Sequence, residues 1–294
     1  MNKLVFLALS TALVACQADN KNLERKIDQL EKGQKEILAA LAKGGGGAGA
    51  GAQAQRPARQ EPDRAKTYAV PVDNDAFDGP ADAKVTIVKA YDYACPYCEK
   101  VRPTMDELRK KYGNDLRVVS KQMVVHPRNA MAGALAFCAA NQQGKAKEMD
   151  ALIWDKGFKV RQLDNSDVTP AEGAPAGAAP AAGKCWDTAE GCKFVVGYAQ
   201  ELGLNVDKFK ADMKGTCQQV VQTDMRQLQA LGVGATPSFF VNGRFISGAV
   251  PIENFSTVID EELKKANEKI QAGTPAAQYY KTFIVDKGQK TLGG

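Results

Sequence analysis

Apolar positions change period several times along this chain, and those changes divide it. Residues 1–15, MNKLVFLALSTALVA, carry one early lysine, an apolar run too short to span a bilayer, and then small residues. That order predicts an export signal that is removed. Leu23, Ile27, Leu30, Gln34, Ile37 and Leu41 recur at alternating spacings of four and three, a narrow seam of about three heptads. The seam predicts a self-associating helix, with an amphipathic helix lying on a membrane surface as the alternative. Gly33 and Gln34 weaken it. Over 44–66 the periodicity disappears into a Gly/Ala run and a Pro/Arg stretch, a flexible tether whose root-mean-square span is on the order of 25–30 Å.

Globular patterning follows. Val85–Ala90 reads as a strand, Pro96–Lys111 as a helix and Asp115–Val125 as a second strand, a β-α-β unit. Helical patterns then cover Arg128–Asn141, Lys145–Trp154, Asp187–Leu202, Val206–Met213 and Gln218–Leu231, interrupted by a low-complexity loop, Ala171–Gly183. The period switches again at Ser238–Val241 and Arg244–Ser247, which flank Asn242-Gly243, the signal of a tight type I′ hairpin. Pro251 opens a last helix to about Ile270. Tyr279–Val285 reads as either an extra docked strand or a mobile tail. The expected organisation is a leader (1–15), an anchor and oligomerisation helix (16–43), a linker (44–66), one α/β domain (67–271) with a helical insertion at about 127–231, and a tail (272–294).

Composition narrows the chemistry. The net charge of +5 is spread over interspersed Lys and Arg without a basic block, so nucleic-acid binding is not expected. With one histidine, His126, multi-histidine metal sites are excluded. His126 itself reads as a helix-start or packing residue. Seven cysteines are many for a reducing cytosol and suit an exported protein. Leu13-Val14-Ala15-Cys16 resembles the lipobox of bacterial lipoproteins, which implies lipidation of Cys16 and membrane attachment through it; an ordinary cut near Ala15 is the alternative. Gln17 is not the aspartate that retains lipoproteins in the inner membrane, so outer-membrane anchoring in the periplasm is expected.

Cys95-Pro96-Tyr97-Cys98 falls at the turn between the first strand and its helix. A cysteine opening a helix faces unpaired backbone N–H groups and the positive dipole end, which favour thiolate, and proline suits the next position. Two thiols so spaced suit disulfide exchange, in which one attacks and the other releases the mixed disulfide. A structural disulfide or half of a zinc site is the alternative, and the latter lacks a second pair.

The order of elements resembles the thioredoxin fold with a helical insertion, as in the DsbA-like thiol-disulfide oxidoreductases. Four segments carry the resemblance, which covers about Val70–Gln271: Gly79–Ala83, AYDYACPYC, His126–Ala130 and GVGATPSFFVNGRFISGAVP. It implies that Cys95 attacks, Cys98 resolves, and Pro237 is a cis-proline facing them, with Thr236, Pro96 and Tyr97 along the substrate peptide's path. It also offers Asp92 as a carboxylate relaying a proton to Cys98, equally readable as a turn or cap residue. Tyr97 stands where the strongest oxidases have histidine, and Thr236 is closer to the isomerases.

Cys138, Cys185, Cys192 and Cys217 remain, an even number that suggests bridges. On one continuous helix Cys185 and Cys192 would lie about 10.5 Å apart, too far to bond, so their bridge requires a bend. Cys138 would then pair with Cys217; buried free thiols are the alternative. The function expected is a membrane-tethered periplasmic thiol-disulfide oxidoreductase, oxidase or isomerase. It would need no cofactor or metal, would act on exported cysteine-containing clients with an unidentified redox partner, and would assemble as a homo-oligomer. A lipoprotein chaperone binding unfolded peptides is the alternative.

Overall fold

Along Val85–Tyr91 (β2) successive side chains enter two different cores: Val85 and Ile87 on one face, Val88 and Ala90 on the other. A strand covered on both faces favours apolar residues at successive positions, which is why Val85, Ile87, Val88 and Ala90 are all fully buried. The computed structural model describes residues 25–29, 31–33, 35–36, 60–167 and 183–293. The leader, Cys16, most of the heptad seam and most of the low-complexity loop lie outside them. Residues 25–29, 31–33 and 35–36 are helical, and Ile27 is 48% exposed.

The sheet order is Phe77–Asp78 (β1), Leu116–Gln122 (β3), β2, Ser238–Val241 (β4) and Arg244–Ser247 (β5). Leu116–Gln122 (β3) pairs with β2 in parallel from Val85↔Leu116 to Tyr91↔Gln122. Ser238–Val241 (β4) pairs antiparallel with β2, and Arg244–Ser247 (β5) folds back on it. The hairpin turn has φ of 43° at Asn242 and 81° at Gly243, the positive pair that a type I′ turn demands. The Asn242 side chain also accepts from Thr86 N–H at 2.9 Å and donates to the Lys84 carbonyl at 3.1 Å, stitching the turn to β2. Phe77–Asp78 (β1) caps the edge against β3, and its two residues carry too little pattern to be read from sequence.

Helices Arg102–Tyr112 and Ile252–Gln271 cover one face, placing Met105, Leu108, Phe255 and Ile259 over Ile87, Phe239 and Val241. The other face is covered by the end of Thr216–Ala230 and by the C-terminal segment. That segment corrects the expectation for 279–285. Ala276–Tyr279 is helical and runs into a wide turn, Tyr280–Val285; Tyr279 of the helix and Tyr280 and Ile284 of the turn are buried, so the segment is neither strand nor free tail. Tyr280 donates to the Val70 carbonyl at 2.9 Å, and Tyr68 forms a parallel bridge with Gln289. Gly288 makes that approach possible, since a Cβ there would stand 2.6 Å from Ala69 N.

The insertion builds a third core from Pro127–Asn141, Ala146–Leu152, Lys193–Glu201, Val206–Lys214 and Thr216–Ala230, around Phe137, Trp154, Phe209 and the Tyr91/Tyr93 pair. Disulfides Cys138–Cys217 and Cys185–Cys192 close within it. The second brings Cα atoms to 4.8 Å. Cys185–Asp187 is accordingly a separate short turn, Gly191 has φ 79°, and the helix expected from Asp187 starts only at Lys193.

One buried charge cluster joins insertion and sheet. Lys121 Nζ lies 2.7 Å from both Asp75 and Asp224, and Asp224 also accepts from Gln122 N–H. Burial pushes Asp75 up to about 6 despite Lys121.

Candidate active site

The chain leaves β2 at Tyr91 and must turn at once into a helix. Asp92, fully buried, makes the turn: one carboxylate oxygen accepts from Ala94 N–H at 2.7 Å, the other from Val125 and His126 N–H at 2.6 and 2.8 Å. Those last two donors end β3 at Gln122, short of the expected Val125. The carboxylate's three hydrogen bonds run to backbone N–H groups, as a turn residue's do. His126 Nδ1 stands 3.3 Å from Asp92, with the ring half exposed, and His126 caps Pro127–Asn141.

Cys95 is the N-cap of Pro96–Lys100, with Pro96 at the first helical position. This helix ends at Val101, and Arg102–Tyr112 begins there, instead of one helix running to Lys111. Pro103 is the cause: it has no N–H to give and its ring would strike the Glu99 carbonyl. Pro96 and Tyr97 face solvent, Tyr97 62% exposed, while Cys95 and Cys98 are only 5% and 2% exposed.

The two sulfurs are inequivalent. Cys95 is lowered to about 5, chiefly by the hydrogen bond from the Cys98 thiol; burial opposes this, and the Thr236 side chain and the backbone N–H groups of Cys98 and Tyr97 add to it. Burial, and then the bond with Cys95, push Cys98 far up, so that it stays a thiol. Across from them the Thr236–Pro237 peptide is cis, and the Thr236 carbonyl accepts from the protonated Cys95 thiol at 3.3 Å. The Thr236 hydroxyl is buried without a conventional partner, so it lends the thiolate a longer, weaker donor.

A family model described as thioredoxin matches residues 72–261. The chain belongs to the thioredoxin family.

Among solved structures, this thioredoxin-family chain shares its fold with oxidised BdbD from Bacillus subtilis (18% identity, 70% of this chain and 100% of that one, TM-score 0.50). A variant of α-DsbA1 from Wolbachia pipientis is similar at 16% identity, over 68% and 96% of the two chains, with a TM-score of 0.51. These likenesses are of fold, the DsbA-like form of thioredoxin. The Na(+)/H(+) antiporter NhaA of Herminiimonas arsenicoxydans is 29% identical over 209 residues, 70% of this chain and 29% of that protein. The chain thus spans under a third of the length of such curated relatives.

Sequence reasoning missed the polar cluster beneath Cys98. Tyr93 donates to Asp150 at 2.9 Å, Tyr91 reaches the same oxygen at 3.3 Å, and Gln122 donates to Tyr91 at 2.9 Å. Burial holds both phenols well above their usual range, so they remain donors. Of this cluster Tyr91 and Asp150, with Lys89 4.5 Å over the Tyr91 ring, line a cavity of about 240 Å³ that also takes in Cys98 and Pro237. Tyr91 and Tyr93, two apart, gave a faint signal; Asp150, in the insertion, gave none. Among the described residues no cluster of His, Cys, Asp or Glu is placed to hold a metal.

Proposed function

We propose that this chain is a periplasmic thiol-disulfide oxidoreductase that exchanges disulfides with exported proteins. The observation that supports it best is the pairing of a low-pKa Cys95 with a buried, protonated Cys98 beside Thr236-Pro237. When the pair is reduced, the Cys95 thiolate attacks one sulfur of a client disulfide. A Cys95–client bond forms and the client's other sulfur leaves as thiolate. Cys98 then loses its proton and attacks the Cys95 sulfur, releasing the second client thiolate and closing Cys95–Cys98. The oxidised pair runs the steps in reverse. The proton of Cys98 departs into the cavity it shares with Asp150, Tyr91 and Lys89.

A thiolate pKa near 5 stabilises the reduced state at neutral pH by on the order of 2 kcal/mol, or roughly 40–60 mV, and so makes the disulfide a better oxidant. The reading is therefore donation or reshuffling of disulfides rather than thioredoxin-like reduction. Attachment through a lipidated Cys16, anchoring in the outer membrane, and self-association through the 16–43 helix belong to the same proposal. Two or more tethered sites would raise local thiol concentration around one misfolded client. Among the described residues no helix is long and apolar enough to cross a membrane.

The test is exchange with a disulfide-containing client. Wild type reoxidises or reshuffles it and Cys95→Ser does not; equal activity in Cys95→Ser, or client protection without exchange, would replace this reading with the chaperone. The potential of the pair is expected well above the about −270 mV of thioredoxin.

A further inference from the structure

Beside Cys95, away from the cavity beneath Cys98, the surface opens into a groove of about 570 Å³. Its floor is Ala94, the residue before the attacking cysteine, with Phe158 and Leu163 from the insertion. Its rim carries His126, Lys159 and Arg161. The charges there are not equally spent. Lys159 already sits 3.0 Å from Asp155 and 3.6 Å from Glu99, and His126 faces the buried Asp92. Arg161 has no acidic partner among the described residues. It is exposed, and it holds a left-handed φ of 60°, unusual for a side chain of its size. Its backbone N–H is tied to the Phe158 carbonyl, so the turn that aims it is closed by its own hydrogen bond.

We infer that this groove is a client-recognition subsite. It selects polypeptide segments that carry an acidic side chain close to their cysteine, the carboxylate meeting Arg161 and neighbouring apolar side chains lying on Phe158 and Leu163. The inference rests on the exchange function proposed above. An extended client whose cysteine is joined to Cys95 must run past Ala94 or past Thr236, and on the Ala94 side it meets an exposed guanidinium without an acidic partner among the described residues. A guanidinium suits a carboxylate bidentately, and Phe158 and Leu163 give the client's neighbouring side chains apolar surface to cover.

The test uses peptide disulfides of one sequence in which Glu, Gln or Lys is walked along the positions flanking the cysteine. With wild type, at least one position should favour Glu over Lys by about tenfold in kcat/KM, corresponding to about 1.4 kcal/mol. The difference should lie in KM and shrink with added salt. Arg161→Glu should invert the preference, and Arg161→Lys should keep part of it. Equal rates for all three side chains at every position, or an unchanged Glu preference in Arg161→Glu, overturns the inference. The same peptides with serine in place of cysteine read the groove without thiol chemistry. Amide shifts at Ala94, Phe158 and Leu163 with the Glu peptide and not the Lys peptide support the subsite, and their absence overturns it. If the shifts appear while no cysteine peptide exchanges, the exchange function fails and the groove stands.

Discussion

Replacing Cys98 by alanine should raise the pKa of the other cysteine, because the hydrogen bond from the Cys98 thiol is the largest influence holding Cys95 at about 5. A hydrogen bond to a charged acceptor contributes about 1.5–3 kcal/mol, which at 1.36 kcal/mol per unit is roughly one to two pKa units. The remaining donors, the Thr236 hydroxyl and the N–H groups of Cys98 and Tyr97, survive the substitution. Alanine also removes a sulfur and relieves some burial, which works slightly the other way. The expected midpoint for Cys95 in Cys98→Ala is therefore about 6–7. Cys98→Ser, which retains a hydroxyl donor, should stay close to wild type. Thiolate absorbance against pH reads the midpoint directly, and in wild type only Cys95 contributes at low pH because Cys98 is pushed far up. The rate of alkylation by iodoacetamide against pH gives an independent curve. A Cys98→Ala midpoint within about 0.3 units of wild type would show that the thiolate owes its stability to the backbone and Thr236, and the two-sulfur argument would fall.

Asp92→Asn leaves fewer acceptors for the N–H groups of Ala94, Val125 and His126; urea unfolding should show a loss of about 1–3 kcal/mol. The rate of mixed-disulfide resolution should change less than about twofold, and a far larger drop at unchanged stability would restore the relay role. Lys121→Met strands Asp75 and Asp224 and should cost about 3–5 kcal/mol near neutral pH. Burial raises both carboxyls and Lys121 works against it, so the variant's carboxyls stand higher still and protonate first; the deficit should narrow as pH falls toward about 6 and level off once the wild-type Asp75 protonates as well, read by urea unfolding at each pH. Removing Cys138–Cys217, which closes a loop of separation 79, should cost about 4–5 kcal/mol on chain entropy. Removing Cys185–Cys192, of separation 7, should cost about 2–3 kcal/mol, and unfolding of the two alanine pairs should preserve that order.

What the sequence made legible was local. The apolar run Val85–Ala90, the cysteine turn and the Asn242-Gly243 hairpin each announce themselves within a few residues, since turn chemistry and strand composition are short-range properties. Pro103 was equally local, yet the continuous helical period around it concealed the break. Tyr279–Val285 failed for another reason: its aromatic and β-branched content fits a strand as well as a buried helical turn, and packing against Val70 and Val88 decides between them. The Lys121 cluster, the Asp150 contact with Tyr91 and Tyr93, and the groove that sets Arg161 beside Ala94 depend on segments brought together by the fold. No spacing in the chain encodes them.

The junction of Tyr68 and Gln289 gives the domain a mechanical polarity. Chain arriving from the linker is gripped at Tyr68 by the Gly243 carbonyl at 2.8 Å, and residues 67 and 69 are held by Gln289 at 2.9 and 2.8 Å. A pull on the chain ahead of Thr67 therefore loads the C-terminal segment and the tip of the β4–β5 hairpin, the end of β4 opposite Pro237. Force applied from that side is met there, in a patch with its own hydrogen bonds, at the end of the sheet away from the cysteine turn.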